Sequence, residues 1–207
     1  MQSLLQQTEA RQDSLVARVL SHANSIGWAE TASIVANLIG TLSQTYEATA
    51  ALIGNSIIAL ASHPRLSDNA RAMTDGWQQL VYETCRYDSP VQNTRRFVVE
   101  QTTIAGVELA PGTAILLILA AANRDPSANS NPDTFLLDRA DRCVFTFGRG
   151  AHACPGPTLA CGIAAAALSV LSDTISAATL TQLAWTIKPS TNCRQPIFHD
   201  VNAASHT

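Results

Sequence analysis

From Ser33 to Ser62 the chain carries one long helical pattern, and that pattern sets the scale of its fold. Ile34, Val35, Leu38, Ile39 and Leu42 recur at spacings of three and four, and Leu52, Ile53, Ile57 and Leu60 resume them. Pro64 stops the run. Alanine fills many other apolar positions and aromatics are only 5% of 207 residues, which favours packed helices over a sheet sandwich.

Shorter elements flank it. Residues 1–27 read as an amphipathic helix around Leu15, Val16, Val19 and Leu20, ending near Gly27. A third helix runs from about Asp75 to Tyr87 and is closed by Ser89-Pro90. The character then changes. Phe97 to Glu100 and Val107 to Leu109 are β-prone, with turns at Ala105-Gly106 and Pro111-Gly112. Ala114 to Asn123 fits a buried strand or a helix equally. Asn123 to Phe147, rich in Pro, Asp, Asn and Arg, reads as a long surface meander, and irregular segments of that length usually serve a function. Thr158 to Ile175 reads as a second buried helix, and the tail after Trp185 as a short hairpin. The fold class expected is mainly α with small β elements, in one domain over residues 1–207.

Composition excludes several partners. Hydrophobic residues are 46% and charged residues 14%, against about 25% charged in ordinary domains, so the chain is not a self-repelling disordered one. A net charge of −3 argues against nucleic acid as a partner. The longest uninterrupted apolar run, Ala114 to Ala122, is too short to span a bilayer, and the polar start shows no secretory signal, so no membrane is expected. Five cysteines, an odd number without a CxxC pair, argue against a disulfide framework or structural zinc. A soluble, reducing, cytoplasmic setting is the expectation.

The sharpest local signal is Phe147-Gly148-Arg149-Gly150-Ala151-His152-Ala153-Cys154-Pro155-Gly156. Two glycines permit sharp turns, and Cys154 stands just before a helix expected to open with Pro155 at its first position. Free amides and the positive end of the helix dipole favour a thiolate there. A single soft sulfur on a rigid loop suits axial ligation of haem iron better than zinc. No Gly-Lys-Ser/Thr follows, so a phosphate loop is excluded. The pattern resembles the haem-binding signature of the cytochrome P-450 family, Phe-Gly-x-Gly-x-His-x-Cys-x-Gly, at every fixed position.

Three other stretches agree in the same order. Glu83-Thr84-Cys85-Arg86 resembles the family's ExxR motif, whose spacing of three puts both side chains on one helix face. The resemblance implies a structural network of Glu83 and Arg86 with a meander arginine, Arg139 being the candidate. Pro90 to Arg96 resembles the segment that reaches a haem propionate, with Arg96 preferred by register and Arg95 as the alternative. His152 would address the other propionate. Ala122-Asn123-Arg124-Asp125-Pro126 reads as the family's turn before the meander.

The match departs in two places. Ala50 to Asn55 resembles the family's I helix just past its oxygen-binding groove, which usually reads Ala-Gly-x-Asp/Glu-Thr-Thr. Here that stretch is Gln44-Thr45-Tyr46-Glu47-Ala48-Thr49, so Glu47 keeps the acid while Ala48 replaces the catalytic threonine and Thr49 follows. The chain is also only about half a full-length member, corresponding to the C-terminal portion from the I helix to the L helix.

By resemblance, the expected cofactor is haem b (iron protoporphyrin IX) with Cys154 as axial ligand and Phe147, Gly148 and Gly156 around it. The expected activity is monooxygenation of a small organic substrate. Electrons would come from a separate partner of ferredoxin type, docking near Arg142 and Arg149. A truncated haem-binding remnant or sensor without turnover is the second expectation. A cysteine-nucleophile hydrolase is the third, and it lacks a placed base.

Overall fold

The computed structural model of the chain describes residues 14–28 and 30–199. Residues 1–13, part of the first expected helix, lie outside the described ones. The chain divides into two units at Tyr46 and Glu47, inside a single helix. The described part of the first unit holds α1 (Leu15–Ser25) and the opening half of α2 (Thr31–Ser62). Ser14 caps α1, its hydroxyl accepting from the Ala17 amide at 3.1 Å. Ala23 and Ile34 are buried in this unit, whereas Ile39, Leu42 and Tyr46 face solvent despite their helical spacing.

The second unit is helical with three small sheets. After the rest of α2 come α3 (Leu66–Ala72) and α4 (Gly76–Tyr87). Strand β1 (Asn93–Phe97) pairs antiparallel with β4 (Ala114–Ile118), placing Arg96 opposite Ile115. Between them β2 (Thr102–Ile104) and β3 (Val107–Leu109) form a hairpin through the expected Ala105-Gly106 turn. A short α5 (Leu119–Asn123) leads into the meander. Beyond the cysteine loop lie α6 (Pro157–Thr174), α7 (Ala177–Thr181) and a hairpin of β5 (Ala184–Ile187) with β6 (Pro196–His199).

Leu52 and Leu60 of α2, Leu80, Val81 and Cys85 of α4, and Cys161, Ala164 and Leu168 of α6 share one core. Gly54 lets the tail hairpin lie directly on α2: a Cβ there would sit 2.5 Å from Cγ of Pro196. Several sequence readings are corrected. The first strand runs over Asn93–Phe97, ahead of the expected Phe97 to Glu100, because its polar residues pair with the apolar β4. The ambiguous Ala114 to Asn123 is both a strand and a helix, changing at Leu119. The helices α3 and α7 span seven and five residues, too few for periodicity to reveal. The expected buried helix α6 buries one face only. Cys161, Ala164, Ala165 and Leu168 are inside, while Leu159, Ile163 and Val170 are exposed.

Candidate functional site

The cysteine loop is shaped by its backbone. Gly148 and Gly150 have φ of 67° and 71°, a region that a side chain would disfavour. Those two bends let the Gly148 amide donate to the Phe145 carbonyl at 2.8 Å and the Cys154 amide donate to the Phe147 carbonyl at 2.7 Å. A 3-10 turn over Gly150–His152 then closes with Ala153 N–H on the Gly150 carbonyl at 3.0 Å. The result presents Cys154 with its side chain exposed. Pro155 and Pro157 have no N–H, and the Gly156 amide donates to the Cys154 sulfur at 3.4 Å. The helix α6 opens at Pro157, two residues later than the expected Pro155, with Gly156 as its N-cap, so the sulfur stands just ahead of a helix N-terminus. Beside it an open apolar trough runs along the exposed face of α6, lined by Pro155, Gly156, Leu159, Gly162, Ile163 and Ala166.

Behind the loop lies a carboxylate held by three guanidinium groups. Glu83 is fully buried. Its Oε1 accepts from Arg86 Nη2 at 2.7 Å, Arg139 Nε at 3.1 Å and the Leu136 amide at 3.0 Å. Its Oε2 accepts from Arg86 Nε at 3.1 Å and Arg142 Nε at 3.0 Å. The arginines in turn donate to meander carbonyls: Arg86 to Pro132 and Thr134, Arg139 to Ser130, Asn131 and Thr134, Arg142 to Leu136 and Leu137. Burial works to raise the Glu83 pKa. The bonds from Arg86, Leu136 and Arg142 and the Arg86 charge outweigh it, holding the carboxyl below its ordinary 4.5.

The expected trio of Glu83, Arg86 and Arg139 is therefore assembled, with a correction. Arg142, read as an exposed docking residue, is the third guanidinium on Glu83, and its side chain is only 11% exposed. Its sequence neighbourhood, Asp138-Arg139-Ala140-Asp141-Arg142, looks like a solvated charge cluster, and only folding of the meander turns it inward. Arg149 does remain exposed, stacked 4.9 Å over the Phe145 ring with Nη2 donating to the Cys143 sulfur at 2.9 Å.

The meander is not a simple surface segment either. Asn129 and Thr146 are buried, and a second network centres on the fully buried Asn123. Its Nδ2 donates to the Cys85 carbonyl, Ser89 Oγ and Thr146 Oγ1 at 3.2, 2.6 and 2.9 Å, while its Oδ1 accepts from the Phe145 amide at 2.6 Å. This one side chain ties the end of α4 to the root of the cysteine loop. Asn123→Ala strands those partners and is expected to cost about 1–3 kcal/mol, read as a lowered urea midpoint. An unchanged midpoint would contradict the role.

The remaining site residues are more dispersed. Arg96 is half-buried, and its Nη1 donates to Thr94 Oγ1 at 3.1 Å and the Arg95 carbonyl at 2.7 Å. His152 is exposed on the loop. On α2, Glu47 is exposed and lies 3.4 Å from Lys188 Nζ of the tail hairpin. Ala48 is half-buried. Thr49 is buried, and its hydroxyl has no hydrogen-bond partner among the described residues. Sequence reasoning missed Gln79, which binds Arg142 Nη1 at 2.5 Å, and Lys188.

Comparison with known proteins agrees with this geometry. A family model described as Cytochrome P450 matches residues 27–170. The biotin biosynthesis cytochrome P450 of Bacillus subtilis (strain 168) is 37% identical over 144 residues, 70% of this chain and 36% of that protein. Cytochrome P450 144 of Mycobacterium tuberculosis (strain ATCC 25618 / H37Rv) is 39% identical over 63% of this chain and 30% of its own. Among solved structures, CYP109E1 from Bacillus megaterium in complex with testosterone matches with a TM-score of 0.80 at 27% identity. That match covers 95% of this chain and 51% of the other. P450BioI in complex with hexadec-9Z-enoic acid ligated acyl carrier protein gives 0.64 at 34% identity, over 73% and 40%. This chain thus spans between 30% and 51% of the length of these relatives. A mostly helical fold, a single cysteine on a glycine-bent loop, a Glu83–Arg86 pair locked into a meander and a family match across most of its length together establish that the chain belongs to the cytochrome P450 family.

Proposed function

We propose that this chain is the haem-thiolate portion of a cytochrome P450 monooxygenase that inserts one oxygen atom from dioxygen into a small organic substrate. The observation that carries the reading is Cys154: an exposed sulfur at a helix N-terminus beside an open apolar trough. A flat, largely apolar macrocycle with one axial thiolate fits those donors and that trough, so haem b is the cofactor proposed, with Cys154 as iron ligand. Phe147, Gly148 and Gly156 shape the loop around it, and Arg96 and His152 are the proposed propionate partners. When bound, haem iron supplies dioxygen activation, which a thiolate ligand favours by donating electron density.

The chain's own residues do the rest. The Gly156 amide takes up part of the sulfur's charge. On α2, Glu47 is held in an ion pair with Lys188, Ala48 offers no hydroxyl, and Thr49 keeps a buried, unengaged one. A proton relay on this helix would therefore run through Glu47 or Thr49 and a water. A ferredoxin-type electron donor and a cytoplasmic setting complete the proposal. The exposed Arg149 is the docking cation that remains after Arg142 turns inward.

The experiment is substrate-dependent oxygen uptake by haem-loaded protein supplied with a ferredoxin and its reductase, with product and hydrogen peroxide both measured. General acid help at this step contributes about 10²–10⁴-fold. Lacking the usual hydroxyl, the chain is expected to release mostly peroxide, and Ala48→Thr to raise product per oxygen consumed. Tight coupling that Ala48→Thr worsens would place the relay elsewhere. Haem uptake without any substrate-dependent oxygen use would favour a second reading, a haem-binding remnant or sensor, which Ala48 supports.

A further inference from the structure

Lys188 is the only lysine in the chain, and it directly follows β5 in the tail hairpin. Its ammonium lies 3.4 Å from Oε1 of Glu47 on α2. The backbone around Lys188 is tied down at several points. Its own amide donates to the Gln195 carbonyl at 2.8 Å, closing the hairpin. The Gln92 amide donates to the Asn192 carbonyl at 2.7 Å, and the Arg194 amide to the Pro90 carbonyl at 2.8 Å. Asn55 of α2 is fully buried, and its Nδ2 donates to the Asp88 and Arg194 carbonyls at 2.9 and 3.2 Å. Gly54 beside it admits Pro196. Glu47 precedes Gly54 by about two helical turns, on the same face of α2. A hairpin fixed on that face thus carries the lysine to the glutamate.

The pair is a wet one. Its side chains are 46% and 54% exposed, and ion pairs of that kind add little to stability. What it does is restrict the carboxylate. Lys188 takes Oε1, which removes rotamer freedom from Glu47, and Oε2 has no hydrogen-bond partner among the described residues. Of the two relay candidates on α2, Thr49 is buried, whereas Glu47 reaches solvent and can be resupplied with protons from it. Given the monooxygenase reading above, on which this rests, we propose that Lys188 is a positioning residue: it holds Glu47 by one oxygen so that the other binds the water that carries protons past Ala48. That water gives a proton inward and recovers one from solvent by way of the carboxylate, which ends the exchange as it began. The ammonium transfers nothing. It fixes the carboxylate, and through it the water, in one place.

A single lysine makes the test clean. Reductive methylation with carbon-13 formaldehyde leaves one lysine methyl signal beside that of the α-amino group. In haem-loaded, ferrous, carbon-monoxide-bound protein this signal should stand apart from the free-lysine position and move to it in Glu47→Gln. In turnover with a ferredoxin and its reductase, Lys188→Met should lower product per oxygen consumed by about threefold or more, since a loosely held water is poorly placed. Glu47→Gln should match that loss, the double variant should fall no further, and Lys188→Arg should restore most of it. The urea midpoint of Lys188→Met should stay at the parent's. A methyl signal that ignores Glu47→Gln, coupling that ignores Lys188→Met, or failure of Lys188→Arg to restore it would overturn the proposal. A clearly lowered midpoint in Lys188→Met would do so too, by making the pair structural. So would a raised KM at unchanged coupling, which would make Lys188 a substrate contact. Haem-loaded protein that shows the methyl shift but no substrate-dependent oxygen use would overturn the monooxygenase reading, and the relay with it, while the ion pair stood.

Discussion

Replacing Glu83 with glutamine is expected to unfold most of the second unit. One carboxylate neutralises Arg86 and shares Arg139 and Arg142, whose side chains are 0%, 1% and 11% exposed. Removing one partner of a buried ion pair costs about 3–5 kcal/mol, and here Arg86 and Arg142 lose theirs together while Arg139 keeps only Asp141 at 3.7 Å. A domain's whole stability is about 5–15 kcal/mol, so the loss is a large share of it. Near-ultraviolet circular dichroism and urea unfolding measure it, and a Glu83→Gln chain with the parent's midpoint would contradict the network. Arg142→Gln, at the wetter edge, should cost less.

The same carboxylate sets an acid limit. Its folded pKa lies below 4.5, so its contribution is complete above that pH and is lost as pH falls toward the folded value. Asp88 works in the opposite sense. Burial raises its pKa above 3.8 in spite of Arg194 and Arg124, so its ionisation costs stability as pH rises through that range. With three guanidinium groups depending on Glu83, the unfolding midpoint should fall between pH 5 and about pH 3, as followed by urea titrations at each pH.

Cys154→Ser is expected to abolish the thiolate-haem signature. Haem-loaded, reduced protein treated with carbon monoxide should show the red-shifted Soret band of a thiolate ligand, and the serine variant should lose it entirely. A serine hydroxyl is harder than a thiol and far harder to deprotonate, so it does not replace the charged sulfur. Cys161→Ser should keep the band, since that thiol faces α4 in the core. An unchanged band in Cys154→Ser would transfer the ligand to another residue. A chain that takes up no haem at all would remove the cofactor from the proposal.

How much of this was legible beforehand depends on the range of the forces involved. The long helix, the turn at Ala105-Gly106, the helix carrying Glu83 and Arg86, and the cysteine loop are local matters. Apolar spacing, glycine at positive φ and proline at a helix start act within a few residues, so the order of residues alone determined them. Recognition of the motifs then supplied Arg139 as the partner of Glu83, which spacing could not. Burial and long-range pairing were decided by the folded structure. Arg142, Asn123 and Thr146 look like ordinary polar loop residues in sequence, yet each fills a buried hydrogen-bonding position made by segments far apart in the chain. The apolar residues Ile163 and Val170 show the reverse, since they lie in a helix expected to be buried and packing left them at the surface. A helix's own residues determine that it forms and which stripe is apolar. Which part of that stripe is covered, and which charge is drawn inside, depends on the free energy of contacts that exist only once the segments have met.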